Sequence, residues 1–275
     1  MQSEKYRVKD LKESHIKHST KKGRTGLVKY RVKLTLKVLA FFLIISVVGT
    51  AISIAIFFKV EDIEVRGESR YTGEQIIDSS KVKKGQNLVL LNLEEVKEKI
   101  EKELPFIKVN DIKKYIPNKL IIKISEAEKY ACIEQDGIYV LFNKDKRIMQ
   151  IDEEMDKDLL KIKGVNVLEP KVGEMLNFQV EDRGKSLYKI LDLLLDNNLK
   201  EMSEIDLSLE TDIRLNFQSR VDILLGNLTE LEYKIRTASE IINNRLRKDE
   251  KGELDVSMLD KGNSSYFRPK GTVKS

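Results

Sequence analysis

"FFKVEDIEVRG", residues 57–67, joins two segments of opposite character. On its left, residues 38–58 read VLAFFLIISVVGTAISIAIFF, without a charge, between Lys37 and Lys59. A bilayer core takes about 20 apolar residues as helix, because lipid offers a backbone polar group no partner and a helix satisfies its own. A secretory leader has a shorter apolar region, about 7–15 residues, and starts earlier. The segment therefore predicts an uncleaved transmembrane helix. On the right, Ile63 and Val65 alternate with Asp62, Glu64 and Arg66, and Gly67 stops the run. A strand is expected there at once, with no flexible linker between membrane and fold.

Charge sets the expected orientation. The 20 residues before the apolar segment hold seven Lys/Arg, and the 20 after it hold three. The positive-inside rule places the N-terminus in the cytoplasm and the 217 residues after the segment outside. The formal net charge of +5 hides a split: residues 1–37 carry a net +9 and residues 59–275 a net −4. A basic tail beside a transmembrane helix sets topology and touches anionic lipid, so membrane lipid is its expected partner and nucleic acid is not. His15 and His18 lie in this tail with no Cys near them, a poor metal site.

The outer region offers little for chemistry. Its single cysteine, Cys132, cannot form an intramolecular disulfide. In "YACIEQDG" it reads as a small buried hydrophobe, with both histidines across the membrane from it. Ser69 in "GESRYTG" lacks the flanking pattern of a nucleophile elbow. "VKKGQNL" has one glycine where a phosphate loop needs several. Carboxylates such as Glu153, Glu154, Asp156 and Asp158 read as a solvated face, and there is no Trp to make a sugar platform. No catalytic residue, cofactor or metal is expected.

After the first strand, Thr72 with Gln75 forms a capping box for a short helix bearing Ile76 and Ile77. Asn92 caps a second helix, with Glu95 at its third position and Leu93, Val96, Ile100 and Leu104 on one face. Pro105 ends it. "FIKVNDIKKYI" and "NKLIIKISE" then read as two strands joined by a turn at Pro117 and Asn118. The order strand, helix, helix, strand, strand predicts a small α+β module, with one helix on each face of its sheet.

This run resembles the POTRA domain of the FtsQ/DivIB bacterial cell-division family. The elements that carry the likeness are Val65-Arg66-Gly67, Gly85 before Asn87-Leu88, Leu104-Pro105, Tyr115-Ile116-Pro117-Asn118, and the Glu-rich stretch 126–131. That stretch has Lys129 where the family usually has a proline.

Residues 129–267 are richer in strand patterns. Turns are expected at Asp136-Gly137 and around 143–146, where Lys146 or Arg147 replaces the family's glycine. "LLKIKGVNV" is similar to a further family segment. Ser186 is read as the cap of a helix with a stripe of Leu187, Ile190, Leu191, Leu194 and Leu195. Ile213, Leu215 and Phe217 pair across "QSR" with Val221, Ile223 and Leu225 as two strands. Thr229 and Glu232 are read as the capping box of a last helix carrying Leu231, Ile235, Ala238, Ile241 and Ile242. The close, "GELDVSMLDKGNSSYFRPK", resembles the family's end, so the likeness spans about residues 35–270.

The expected organisation is a basic cytoplasmic tail (1–37), a transmembrane helix (38–58), a POTRA domain (59–128), a larger and mostly antiparallel β domain with flanking helices (129–267), and a short tail (268–275). The resemblance implies a single-pass scaffold of the division septum. It would bind FtsL- and FtsB/DivIC-type proteins outside the membrane and help bring septal wall synthases to midcell. The alternative is a membrane-anchored sensor or regulator whose outer part binds a wall fragment or peptide. The partner site is expected within 254–267, an outermost strand or hairpin with free backbone groups. Its anchors would be Met258, Tyr266 and Phe267, Pro269 stopping the strand. The other role open to Tyr266 and Phe267 is closing the module's own core.

Overall fold

The computed structural model describes residues 33–54, 56–259 and 264–270. Most of the basic tail, with His15 and His18, and residues 271–275 of the short C-terminal tail lie outside the described residues. Helix α1, Lys33–Ile54, has an apolar stretch of mean hydropathy 2.3, none of whose residues is buried inside the protein. At 1.5 Å per residue its 22 residues reach about 33 Å, long enough to cross a membrane. Two of its hydroxyls bond back to the helix: Thr50 Oγ1 donates to the Ser46 carbonyl at 2.8 Å and Ser53 Oγ to that of Gly49 at 2.9 Å.

The described chain divides into two compact units. The first gathers α1 and the residues up to Asp62 with Lys84–Leu91 and Lys114–Lys119. Here the chain leaving α1 pairs at once with the 85–88 loop: Leu88 N donates to Phe58 O at 2.8 Å and Val60 N to Gln86 O at 2.8 Å. Val60 and Leu88 are fully buried.

The second unit holds the bulk of both expected modules. In the first, strand β1 (Asp62–Arg66) is followed by α2 (Gly73–Ser80), α3 (Leu93–Glu103), β2 (Ile107–Tyr115) and β3 (Lys119–Glu126). The sheet order is β1-β3-β2. Both expected caps form: Thr72 and Gln75 bond reciprocally, and the Asn92 side chain accepts from Glu94 N and Glu95 N. α2 and α3 pack against each other. Edge strand β2 buries Ile107 and Val109 while Lys108 and Asn110 are exposed, whereas central strand β3 buries Leu120, Ile121 and Ile122 in succession.

The second module is one nine-stranded sheet. Its strands are β4 (Lys129–Gln135), β5 (Ile138–Asn143), β6 (Ile148–Asp152), β7 (Leu160–Lys163), β8 (Met202–Asp206), β9 (Ile213–Phe217), β10 (Val221–Gly226), β11 (Gly252–Asp255) and β12 (Tyr266–Pro269). Helix α4 (Glu181–Asp196) lies between β7 and β8 in the chain, and α5 (Leu231–Asn244) between β10 and β11. The spatial order is β12-β11-β10-β9-β8-β7-β4-β5-β6. Hairpins make the antiparallel pairs. The three parallel pairs, β4 with β7, β7 with β8 and β10 with β11, need crossovers, two of which are α4 and α5. One apolar cluster runs through the sheet and both helices, from Phe142 and Ile148 to Leu254 and Val256.

Two helix starts depart from the sequence reading. α4 begins at Glu181, and Ser186 lies inside it with its Oγ donating to the Asp182 carbonyl at 2.8 Å. Packing sets this start, because the Phe178 ring sits on Gly184 and a Cβ there would come within 2.1 Å of a ring carbon. Glu181 and Asp182 in the first turn complement the helix dipole. At α5, Thr229 and Glu232 form no box; Glu230 is the cap residue, in left-handed conformation at φ 52°. Asn227 organises the turn instead, accepting from Thr229 N at 3.1 Å and from the buried Lys234 ammonium at 3.1 and 3.2 Å.

Candidate partner interface

The last two strands are short and built for one side. In β11, Gly252 and Leu254 face the core and Glu253 and Asp255 are half-exposed. β11 runs parallel to β10, with Ile223 opposite Leu254, and this leaves its other edge for β12. β12 pairs antiparallel, Leu254 with Phe267 and Asp255 with Tyr266. Gly252 makes the pairing possible: a Cβ there would lie 2.4 Å from the Arg268 carbonyl oxygen and 2.6 Å from the Phe267 ring. β12 is outermost, and among the described residues no strand pairs with its far side.

The three residues singled out in the sequence go to different places. Tyr266 is 61% exposed and Met258 48% exposed. Phe267 is half-buried and packs on the core cluster. So of the two aromatics one closes the core and one faces solvent. Pro269 ends the strand as expected.

Side-chain ties that the sequence reading missed hold β12 down. Arg268 pairs with Glu253 at 3.2 Å, and the Lys270 ammonium reaches Asp222 on β10 at 2.5 Å. The hydrogen bond from Lys270, helped by one from Asn216, holds the Asp222 carboxyl below its ordinary pKa against the effect of burial. The same bond raises Lys270 above its ordinary value. A strand-parity reading of "GELD" and "YFRP" could have set Glu253 opposite Arg268; nothing local marks Asp222 as the partner of Lys270.

The opposite edge of the sheet is covered at the start of β6. Ile148 N on β6 donates to Glu174 O at 2.8 Å, and Gly173 N returns a bond to Ile148 O at 2.8 Å. Leu176 N donates to Lys146 O at 2.9 Å. Lys146 has φ 69° and takes the position where a glycine was expected. Beside it Arg147 is buried, with its guanidinium bonded to both Glu98 oxygens at 3.1 and 2.8 Å, to Glu101 at 3.5 Å and to the Gly173 carbonyl at 2.7 Å. Burial opposes the Arg147 charge, yet Glu98 and Glu101 hold its pKa above the ordinary value. Glu98 is correspondingly lowered by its bond to Arg147. This joint fastens α3 to the β5–β6 hairpin.

Cys132 is fully buried, and burial pushes its thiol up to about 11, which keeps it protonated and a poor nucleophile at neutral pH. Among the described residues no three His, Cys, Asp or Glu side chains gather as a metal cage.

Residues 58–127, the β1-to-β3 module, match the family model of the POTRA domain, FtsQ-type. This segment is an FtsQ-type POTRA domain. The likeness continues beyond the POTRA domain. Cell division protein DivIB of Clostridium botulinum is 28% identical over 243 residues, covering 87% of this chain and 93% of that protein. The DivIB of Clostridium tetani is 29% identical over 230 residues, 82% of this chain and 85% of its own. Cell division protein FtsQ of Geotalea daltonii is 32% identical over 123 residues, 42% of this chain and 44% of its own. The resemblance to the FtsQ/DivIB family read from the sequence therefore holds over most of the chain, and the relatives' names support a role in cell division.

Proposed function

We propose that the protein is a single-pass, non-enzymatic scaffold of the division septum, its N-terminus cytoplasmic and its POTRA and β domains (59–128 and 129–267) outside the cell membrane. It binds an FtsL- and FtsB/DivIC-type pair by adding a partner strand to the free edge of β12, and through them supports septal wall synthesis. The observation that carries this reading is an outermost strand with no pairing partner on one side among the described residues, and an exposed aromatic on it. Strand addition uses such an edge: backbone hydrogen bonds give affinity and alternate side chains give specificity. Tyr266 and Met258 are the solvent-facing anchors, and Phe267 fixes the strand to the core beneath them.

The test is Tyr266→Asp beside Phe267→Ala. With Tyr266→Asp the partner pair is lost while thermal unfolding stays near wild type. Phe267→Ala lowers the unfolding temperature, since a half-buried ring leaves the core. Full partner binding by Tyr266→Asp would remove β12 as the site. A fluorescent fusion forms a ring at midcell on this reading; an even membrane distribution would favour a sensor.

A further inference from the structure

The described chain exposes apolar side chains where a water-facing domain would not need them. Leu90 is 79% exposed, Ile116 67%, Tyr115 50% and Val89 40%. Single exposed apolar residues are ordinary, but these four stand on two segments held side by side, the 87–91 loop and the end of β2 with the turn after it. The Lys114 ammonium makes the join, donating to Val89 O at 2.8 Å and Leu91 O at 2.7 Å.

The first loop is stapled to the end of α1, and the second to the segment that follows it. Asn87 Nδ2 donates to the Ile54 carbonyl at 3.0 Å, inside the helix's last turn, and Leu88 N donates to Phe58 O. Asn87 Oδ1 also accepts from Val89 N and Leu90 N at 2.9 and 3.2 Å, which sets the tip itself. On the other loop, Asn118 O accepts from Glu61 N at 2.9 Å. Wherever α1 leaves the hydrocarbon, Leu90 is then only three residues from a hydrogen bond to it. Lys59 and Lys84 lie in the same compact unit, able to reach lipid phosphates with their ammonium groups. Tyrosine at such a level matches the aromatic belt of membrane interfaces.

We propose that Val89, Leu90, Tyr115 and Ile116 dip into the headgroup–acyl boundary of the outer leaflet, so that lipid covers this apolar patch. The inference rests on α1 being the membrane anchor. It extends lipid contact from one helix to two further segments of the same compact unit.

The absence of Trp from the chain gives a clean test. The full chain carrying one introduced Trp is placed in phosphatidylglycerol–phosphatidylethanolamine vesicles, in parallel sets with acyl chains brominated near the headgroup and near the chain end. The positions are Leu90→Trp, Ile116→Trp, Leu209→Trp (61% exposed in the native chain, in a loop of the β domain) and Ile45→Trp inside α1. We expect lipid quenching at positions 90 and 116 to exceed that at 209 by about threefold or more, with blue-shifted emission, as interfacial burial requires. Acrylamide should quench in the reverse order. If positions 90 and 116 respond like 209 while 45 is quenched by lipid, the anchor stands and this inference fails. If 45 is not quenched by lipid either, α1 is no anchor and both readings fall.

Discussion

The two edges of the nine-stranded sheet are treated in opposite ways. At β6, backbone groups are met by the 173–176 loop, and a buried arginine ties the same hairpin to α3. At β12, the described residues put nothing on the outer side, and the ties of the strand all run inward, to Glu253, Asp222 and the core. An unprotected edge is a hazard that folds usually cover. Among the described residues, then, one edge is met by loop and charge at its start, while the other carries an exposed tyrosine and no further strand, and the proposed partner site lies on the second.

Breaking the covered edge should have the largest effect on stability. Arg147→Ala removes one side of a buried ion pair and leaves Glu101 without its partner, a loss of about 3 kcal/mol on the scale of broken buried pairs, taken at the low end because Glu98 is half exposed. Thermal unfolding of the full chain in nanodiscs should show it, with partner binding at permissive temperature unchanged. Loss of binding in the folded variant would show that the two edges are not independent.

Gly252→Val acts on the open edge. The new side chain meets the Arg268 carbonyl and the Phe267 ring, so β12 lifts from β11. The cost is about 1–3 kcal/mol, the range for overpacking. Here binding should fall with stability, the opposite pattern to Arg147→Ala. A variant that binds normally would mean that β12 need not be seated.

The smallest effect concerns pH. Asp222 has a folded pKa below its ordinary value, so its contribution is present above that ordinary value and is lost as pH falls through the folded one. Seating of β12 should therefore hold at neutral pH and loosen only in acid. Lys270→Ala should shrink that acid step in an unfolding-temperature profile while leaving neutral binding nearly intact. An unchanged step would mean that Lys270 does not hold Asp222 in solution.

How much of this could be read from the chain depended on distance in sequence. Thr72 with Gln75 and Asn92 with Glu95 are local, and both caps form. Ser186 and Thr229 carry the same kind of signal, but Phe178 packing on Gly184 and Lys234 bonding to Asn227 decided those helix starts. The pairing of β9 with β10 was legible because only "QSR" separates them. The parallel neighbours β4 and β7, with a hairpin between them in the chain, were not. At the candidate site, β12 was foreseeable as an edge because it follows the last helix. That Tyr266 would face out and Phe267 in was not foreseeable, since parity fixes only that they differ. Arg147 stood next to the expected turn, yet its partner Glu98 lies 49 residues away on α3, and no local pattern announces that pair.

Amide hydrogen exchange on the full chain in nanodiscs, with and without the FtsL–DivIC-type pair, compares the two edges in one experiment. On this account, added partner slows exchange at residues 266–268 by about tenfold or more, as new strand hydrogen bonds require, and leaves 148–152 unchanged. Unchanged exchange at 266–268 in a complex that has formed, or protection appearing at 148–152 instead, would contradict it.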